Sequence, residues 1–135
     1  MFLNLEHLGL AVRDLPAATA LYTRLLGATP YKTERVESEA VDTVFFQVGG
    51  SKIELLAGTS PESAITKFLE KKSEGIHHVA FEVADIEAEM ARLRAEGFTL
   101  LNEVPKRGAD NKLVCFVHPK SAGGVLVELC QEIRL

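Results

Sequence analysis

Four polar side chains interrupt segments that otherwise read as apolar strands: His7, Glu54, His78 and Glu128. Strand parity puts His7 on one face with Gly9 and Ala11, and His78 with Ala80 and Glu82. Small neighbours beside a polar side chain leave room for a cavity. Glu54 lies on the face opposite Ile53 and Leu55, and Glu128 on the face opposite Val127 and Leu129. Neutral imidazoles suit first-row transition metals and carboxylates suit harder divalent ions, so a set of His7, Glu54, His78 and Glu128 fits Co²⁺, Mn²⁺, Ni²⁺, Zn²⁺ or Mg²⁺. Two carboxylates neutralise a divalent charge. Four protein ligands on an octahedral ion leave positions open for substrate, as catalysis requires. The neighbouring His77 has the other parity, with Val79, Phe81 and Val83, and is expected to tuck its ring against the apolar layer.

The elements that must position these residues occur twice. His7-Leu8-Gly9-Leu10-Ala11-Val12-Arg13-Asp14-Leu15 matches His78-Val79-Ala80-Phe81-Glu82-Val83-Ala84-Asp85-Ile86. Each copy is an alternating strand ending in a helix-capping Asp, followed by a helix that stops at a glycine: Leu15 to Leu26 before Gly27, and Ile86 to Glu96 before Gly97. Strand-like runs follow at Val41 to Val48 and Lys52 to Ala57 in the first copy, and at Leu113 to His118 and Val125 to Gln131 in the second. The weaker segments Ala28 to Glu37 and Thr99 to Val104 are expected as the second strands. Ser60-Pro61-Glu62-Ser63 opens a connecting helix, Ala64 to Lys72, closed off by Gly75. An approximate twofold axis between the copies would bring the four polar residues around one point. The expected architecture is α+β: two βαβββ modules, about 1–57 and 75–135, joined by a linker helix within 60–74 and sharing one domain around a metal-centred cavity.

Composition agrees with a small-molecule enzyme or binder. The 135 residues are 47% hydrophobic and 25% charged, enough apolar material for one core and too short a chain for a separate cofactor lobe. A net charge of −4 without a clustered basic surface argues against nucleic acid as a partner. No apolar run approaches the roughly 20 residues of a membrane span, and Met1 to Arg13 carries Glu6 and His7 with no cleavage site, so the expected location is the cytoplasm. Cys115 and Cys130 sit in apolar strands without metal-knuckle spacing and are expected to be buried reduced thiols.

The chain resembles the vicinal oxygen chelate (glyoxalase-like) superfamily over nearly its whole length, and within it the methylmalonyl-CoA epimerases. The likeness is carried by His7-Leu8-Gly9-Leu10-Ala11-Val12, Lys52-Ile53-Glu54-Leu55-Leu56, Glu74-Gly75-Ile76-His77-His78-Val79-Ala80-Phe81-Glu82-Val83, and His118-Pro119-Lys120-Ser121-Ala122-Gly123-Gly124-Val125-Leu126-Val127-Glu128-Leu129. It implies a divalent ion held by His7, Glu54, His78 and Glu128, the same set that parity and repeat select, and it favours a homodimer, for which exposed sheet edges are suited. It also implies a second base just before the third strand, in Glu37-Ser38-Glu39-Ala40-Val41. There the pattern departs, because the family's position falls on Ser38. Either a local shift supplies the carboxylate, with Glu39 preferred to Glu37, or the base lies elsewhere.

The implied reaction interconverts (2R)- and (2S)-methylmalonyl-CoA through a metal-stabilised enolate. A hydrogen next to a thioester carbonyl needs a Lewis acid at the developing oxyanion. Inversion needs proton removal on one face and return on the other, roles assigned to Glu128 and Glu39. Lys106, Arg107 and Lys120, with Lys112 nearby, lie in expected turns of the second module and offer local positive charge for the CoA phosphates. Two other activities occur on a similar fold. One is a lactoylglutathione lyase, and the other a metal-free protein that sequesters an antibiotic.

Overall fold

The computed structural model describes Met1–Arg134. Among the described residues it has eight strands and three α-helices, in the order β1 (Phe2–Ala11), α1 (Leu15–Leu26), β2 (Lys32–Val36), β3 (Val41–Val48), β4 (Ser51–Gly58), α2 (Ala64–Lys71), β5 (Gly75–Val83), α3 (Ile86–Ala95), β6 (Lys106–Gly108), β7 (Lys112–Val117) and β8 (Val127–Glu132). The expected βαβββ order therefore occurs twice, with α2 as the connecting helix.

Local chemistry explains the helix ends. The Asp14 carboxylate accepts from the Ala17 N–H at 3.0 Å, satisfying one orphan donor of the first turn of α1, and Pro16 lies where a missing N–H costs nothing. Gly27 ends the helix in the left-handed region at φ 67°, where a side chain would be strained. Asp85 repeats the cap on α3, accepting from the Ala88 N–H at 3.1 Å.

The chain divides into two compact units, His7–His77 on one hand and Met1–Glu6 with the chain from His78 on the other. In the first, strands run β2-β3-β4-β1, with β1 and β4 parallel and the rest antiparallel. Leu10, Val12, Val44, Phe46 and Leu55 form a core against Leu15, Ala18, Tyr22 and Leu26 of α1. Each such large side chain contributes about 1.5–3 kcal/mol on burial, so this layer anchors the sheet and commits its alternate residues to the other face. In the second unit the order is β5-β8-β7-β6, again with one parallel pair, β5 with β8. Val83, Ile86, Met90, Leu93, Cys115, Val117 and Leu129 form its corresponding core.

The second strand of each module differs from the sequence expectation, and β2 is confined to Lys32–Val36 within the expected Ala28–Glu37. Thr99–Val104 is no strand beyond a single bridge from Leu100 to Val117, and the edge of the second sheet is instead β6. The linker helix α2 packs Ile65 and Leu69 against Ala11, Val41 and Leu56 of the first unit. The start of β1 joins the second unit, where Phe2 lies 5.1 Å from Phe81 between ring centroids and Asn4 donates to the Glu82 carboxylate.

Candidate functional site

Each unit buries one histidine and one glutamate together. In the first, the parallel pairing of β1 with β4 sets Gly9 opposite Glu54, so the carboxylate meets a position with no side chain of its own. His7, two residues earlier on the same face, brings Nδ1 to 3.1 Å from Glu54 Oε2, with the two side chains only 5% and 6% exposed. In the second unit, β5 and β8 pair in parallel and set Ala80 opposite Glu128. His78 brings Nε2 to 3.2 Å from Glu128 Oε1, at 7% and 9% exposure. Parity and the repeat thus select two pairs that the fold does assemble. A buried carboxylate carries a large desolvation cost unless a positive partner faces it. An imidazole nitrogen and a carboxylate oxygen, side by side and withdrawn from water, are donor types that a divalent ion takes.

The apolar elements behind each pair also match. Phe45 pairs directly across the strands with Glu54, and Phe116 with Glu128. The Phe116 ring meets His78 edge-on, with centroids 6.1 Å apart, and so limits the imidazole's rotation. Sequence reasoning passed over both phenylalanines, since their place beside a glutamate depends on cross-strand register. The one local signal was the parity that faces them away from the helices. His77 behaves as its parity implies: half-buried, it meets Phe68 edge-on at 5.0 Å.

The segment expected to hold a second base forms a 3-10 turn, Glu37–Glu39, ended by Ala40 at φ 53°. The Ala40 N–H donates to the Glu37 carbonyl and its own carbonyl accepts from the Thr59 N–H at 2.8 Å, which ties the turn to the end of β4. Glu37 and Ser38 are exposed, and Glu39 is half-buried. Of the basic residues, Lys106 and Arg107 lie on edge strand β6 rather than in a turn, and Lys120 lies exposed in the 3-10 segment Pro119–Ala122. Lys106 places Nζ 5.9 Å from the centre of Phe116, while Arg107 donates to Asn111 Oδ1.

Neither Cys115 nor Cys130 forms a disulfide, and both are buried. Burial, reinforced by the Glu128 charge, pushes the Cys115 thiol up to about 11. The thiolate is the nucleophile, so iodoacetamide at pH 8 is expected to leave Cys115 of the folded protein unmodified and to label it readily in urea. Peptide mass mapping of the two samples checks this, and rapid native labelling would contradict the packing described.

Residues 6–116 match the Glyoxalase/Bleomycin resistance protein/Dioxygenase superfamily. The chain is 41% identical over 129 residues to the mitochondrial methylmalonyl-CoA epimerase of Homo sapiens, covering 95% of this chain and 73% of that protein. It is 42% identical over 130 residues to the ethylmalonyl-CoA/methylmalonyl-CoA epimerase of Cereibacter sphaeroides, covering 95% and 97%. Among solved structures, a Streptomyces coelicolor methylmalonyl-CoA epimerase variant in complex with 2-nitronate-propionyl-CoA superposes with a TM-score of 0.95 at 34% identity, over 99% of this chain and 100% of that one.

Proposed function

The chain belongs to the Glyoxalase/Bleomycin resistance protein/Dioxygenase superfamily, and from that membership we propose that it is an isomerase that epimerises methylmalonyl-CoA at the carbon next to the thioester. The observation that carries this reading is similarity over 95% of the chain to epimerases of this substrate, joined to a buried His–Glu pair in each repeat.

The residues present fit a divalent ion. His7, Glu54, His78 and Glu128 would hold it, supplying two imidazoles and two negative charges from groups that water barely reaches. When bound, the ion supplies Lewis-acid charge to substrate oxygens. The Glu128 carboxylate then takes the C2 proton on one face, and the half-buried Glu39 exchanges a proton on the other. Glu39 suits this role better than Glu37 or Ser38, which stand exposed to solvent. The reading takes the two modules as one catalytic domain. It adds a homodimer, whose contact would cover exposed apolar side chains such as Leu3 and Leu5, and a cytoplasmic location, where the free thiols stay reduced.

Incubation of the metal-loaded protein in D₂O with methylmalonyl-CoA, followed by NMR, tests the activity. Deuterium is expected at C2. No exchange there, together with exchange in the glutathione hemithioacetal of methylglyoxal, would replace this reading with that of a lactoylglutathione lyase. Exchange in neither, with no metal retained, would point to a binding protein.

The CoA end of the substrate is assigned to Lys106, Arg107 and Lys120. Neutralising all three with glutamine is expected to raise KM for the CoA ester by about tenfold and leave kcat nearly unchanged, because such contacts stabilise ground and transition states alike. The salt dependence of kcat/KM should weaken in parallel. An unchanged KM across ionic strengths would move the CoA surface elsewhere, with Lys71 and Lys72 as the next candidates.

A further inference from the structure

The Thr43 hydroxyl is fully buried and has no hydrogen-bond partner among the described residues. Buried polar side-chain atoms are as a rule paired, because an unpaired one forfeits its hydration with nothing in return. A valine would fill nearly the same space without that cost. An internal water is a poor answer, since it needs about two to four polar partners. Val41 and Phe45 on the same strand and Leu56 across from it offer none, and Glu34 on the other side is engaged by Lys32.

Register places this hydroxyl close to the buried pair of the first unit. Strand β3 alternates, so Val44 and Phe46 enter the core beneath α1 while Thr43 and Phe45 face the other way. Phe45 pairs with Glu54 and Thr43 with Leu56, which makes Thr43 the diagonal neighbour of Glu54 on one sheet face. Diagonal neighbours are about 7–8 Å apart, a gap that a small acyl group spans. Glu54 Oε2 is in turn 3.1 Å from His7 Nδ1. Beyond Thr43, Ile65 and Leu69 of α2 cover Val41 and Leu56. Thr43 therefore stands where the polar end of this face meets its apolar end.

On the epimerase reading, on which this inference rests, the C2–H bond breaks and its proton goes to the base. The electron pair left behind forms a double bond to the thioester carbon and drives negative charge onto the thioester oxygen. A donor already bonded to a protein acceptor would have to leave it to meet that charge, whereas a donor without one needs no reorganisation. We propose that the Thr43 hydroxyl donates a hydrogen bond to the thioester oxygen as this charge develops, keeping its own proton, and so lowers the barrier to enolate formation.

The test compares metal-loaded wild type with Thr43→Val and Thr43→Ser. Thr43→Val is expected to raise the melting temperature by a few degrees, because a methyl replaces an unpaired buried hydroxyl. It should nevertheless lower kcat and deuterium exchange at C2 by about tenfold while changing KM by less than about twofold, the pattern of a bond made in the transition state. Thr43→Ser keeps the hydroxyl and should stay within about threefold of wild-type kcat. Calorimetric titration with 2-nitropropionyl-CoA supplies a readout without turnover, since its nitronate is a planar anion that imitates the enolate. Thr43→Val should bind it about tenfold more weakly and bind coenzyme A as wild type does. The proposal is overturned if wild type does not bind the nitronate, if Thr43→Val keeps wild-type kcat and nitronate affinity, or if Thr43→Ser falls as far as Thr43→Val. A hydroxyl that merely held an internal water would give a lower melting temperature in Thr43→Val with unchanged kinetics, which also overturns it. A wild-type protein that binds the nitronate through Thr43 yet exchanges no C2 proton would refute the epimerase reading and leave the hydroxyl's role as an anion donor standing.

Discussion

Replacing Glu128 with Gln is expected to lower epimerisation by a factor on the order of 10²–10⁴, the usual contribution of a general base. The substitution keeps the shape of the side chain and one ligating oxygen, so the protein should fold and retain metal. What it removes is the basic carboxylate proposed to accept the C2 proton. Glu54→Gln is the control: it sits in the matching pair of the first module, 3.1 Å from His7, but is assigned only a ligand's role, and an amide oxygen still ligates. It should keep measurable activity. Metal content, kcat and deuterium exchange measured on both variants decide the matter. Bound metal with stopped exchange in Glu128→Gln supports the base role, and near-normal turnover in that variant refutes it.

The second large effect concerns the adjacent histidines. His78→Ala should lose the metal almost entirely, whereas His77→Ala should keep close to one ion per chain. The first of the two faces a carboxylate, with Nε2 3.2 Å from Glu128; the second lies edge-on to Phe68. Truncating His78 would also leave Glu128 buried without its partner nitrogen, so this variant should melt lower in the absence of metal. His77→Ala should lose an aromatic edge contact, worth about 0.5–1.5 kcal/mol. Metal analysis of the two purified proteins is the deciding measurement. Equal loss from both would refute the parity argument and the assignment of the site with it.

Much of this site was readable because the repeat supplied what a lone residue could not. A single glutamate in an apolar strand is equally well explained by a solvated sheet face. Glu54 and Glu128, each in the last strand of its module, are not. Asp14 and Asp85 marked both helix starts because capping is a matter of three residues, and β3 occupies the expected Val41–Val48 because β-branched and aromatic residues fill that run.

Periodicity failed where the backbone is short, polar and at an edge. Thr99–Val104 has strand-forming residues at both ends, yet the sheet takes its edge from Lys106–Gly108, whose sequence alone carries no strand signal. Pairing with β7 supplies the hydrogen bonds there, a tertiary effect that overrides local propensity. The linker helix shows the same limit. Its extent could be read from Ser63 and the amphipathic run that follows, but its packing against Ala11, Val41 and Leu56 could not.

The sequence by itself determined which side chains share a face, because a strand alternates strictly and every apolar residue committed to the helix layer turns its neighbour the other way. It therefore determined His7 over Leu8, His78 over His77, and both glutamates. Only the tertiary structure decided what lies next to those residues across the strands. Gly9 beside Glu54, Phe116 beside Glu128, and Lys32 over Phe45 all depend on register. Register is set by the packing of whole strands and the length of their turns, and no window of neighbouring residues contains that information.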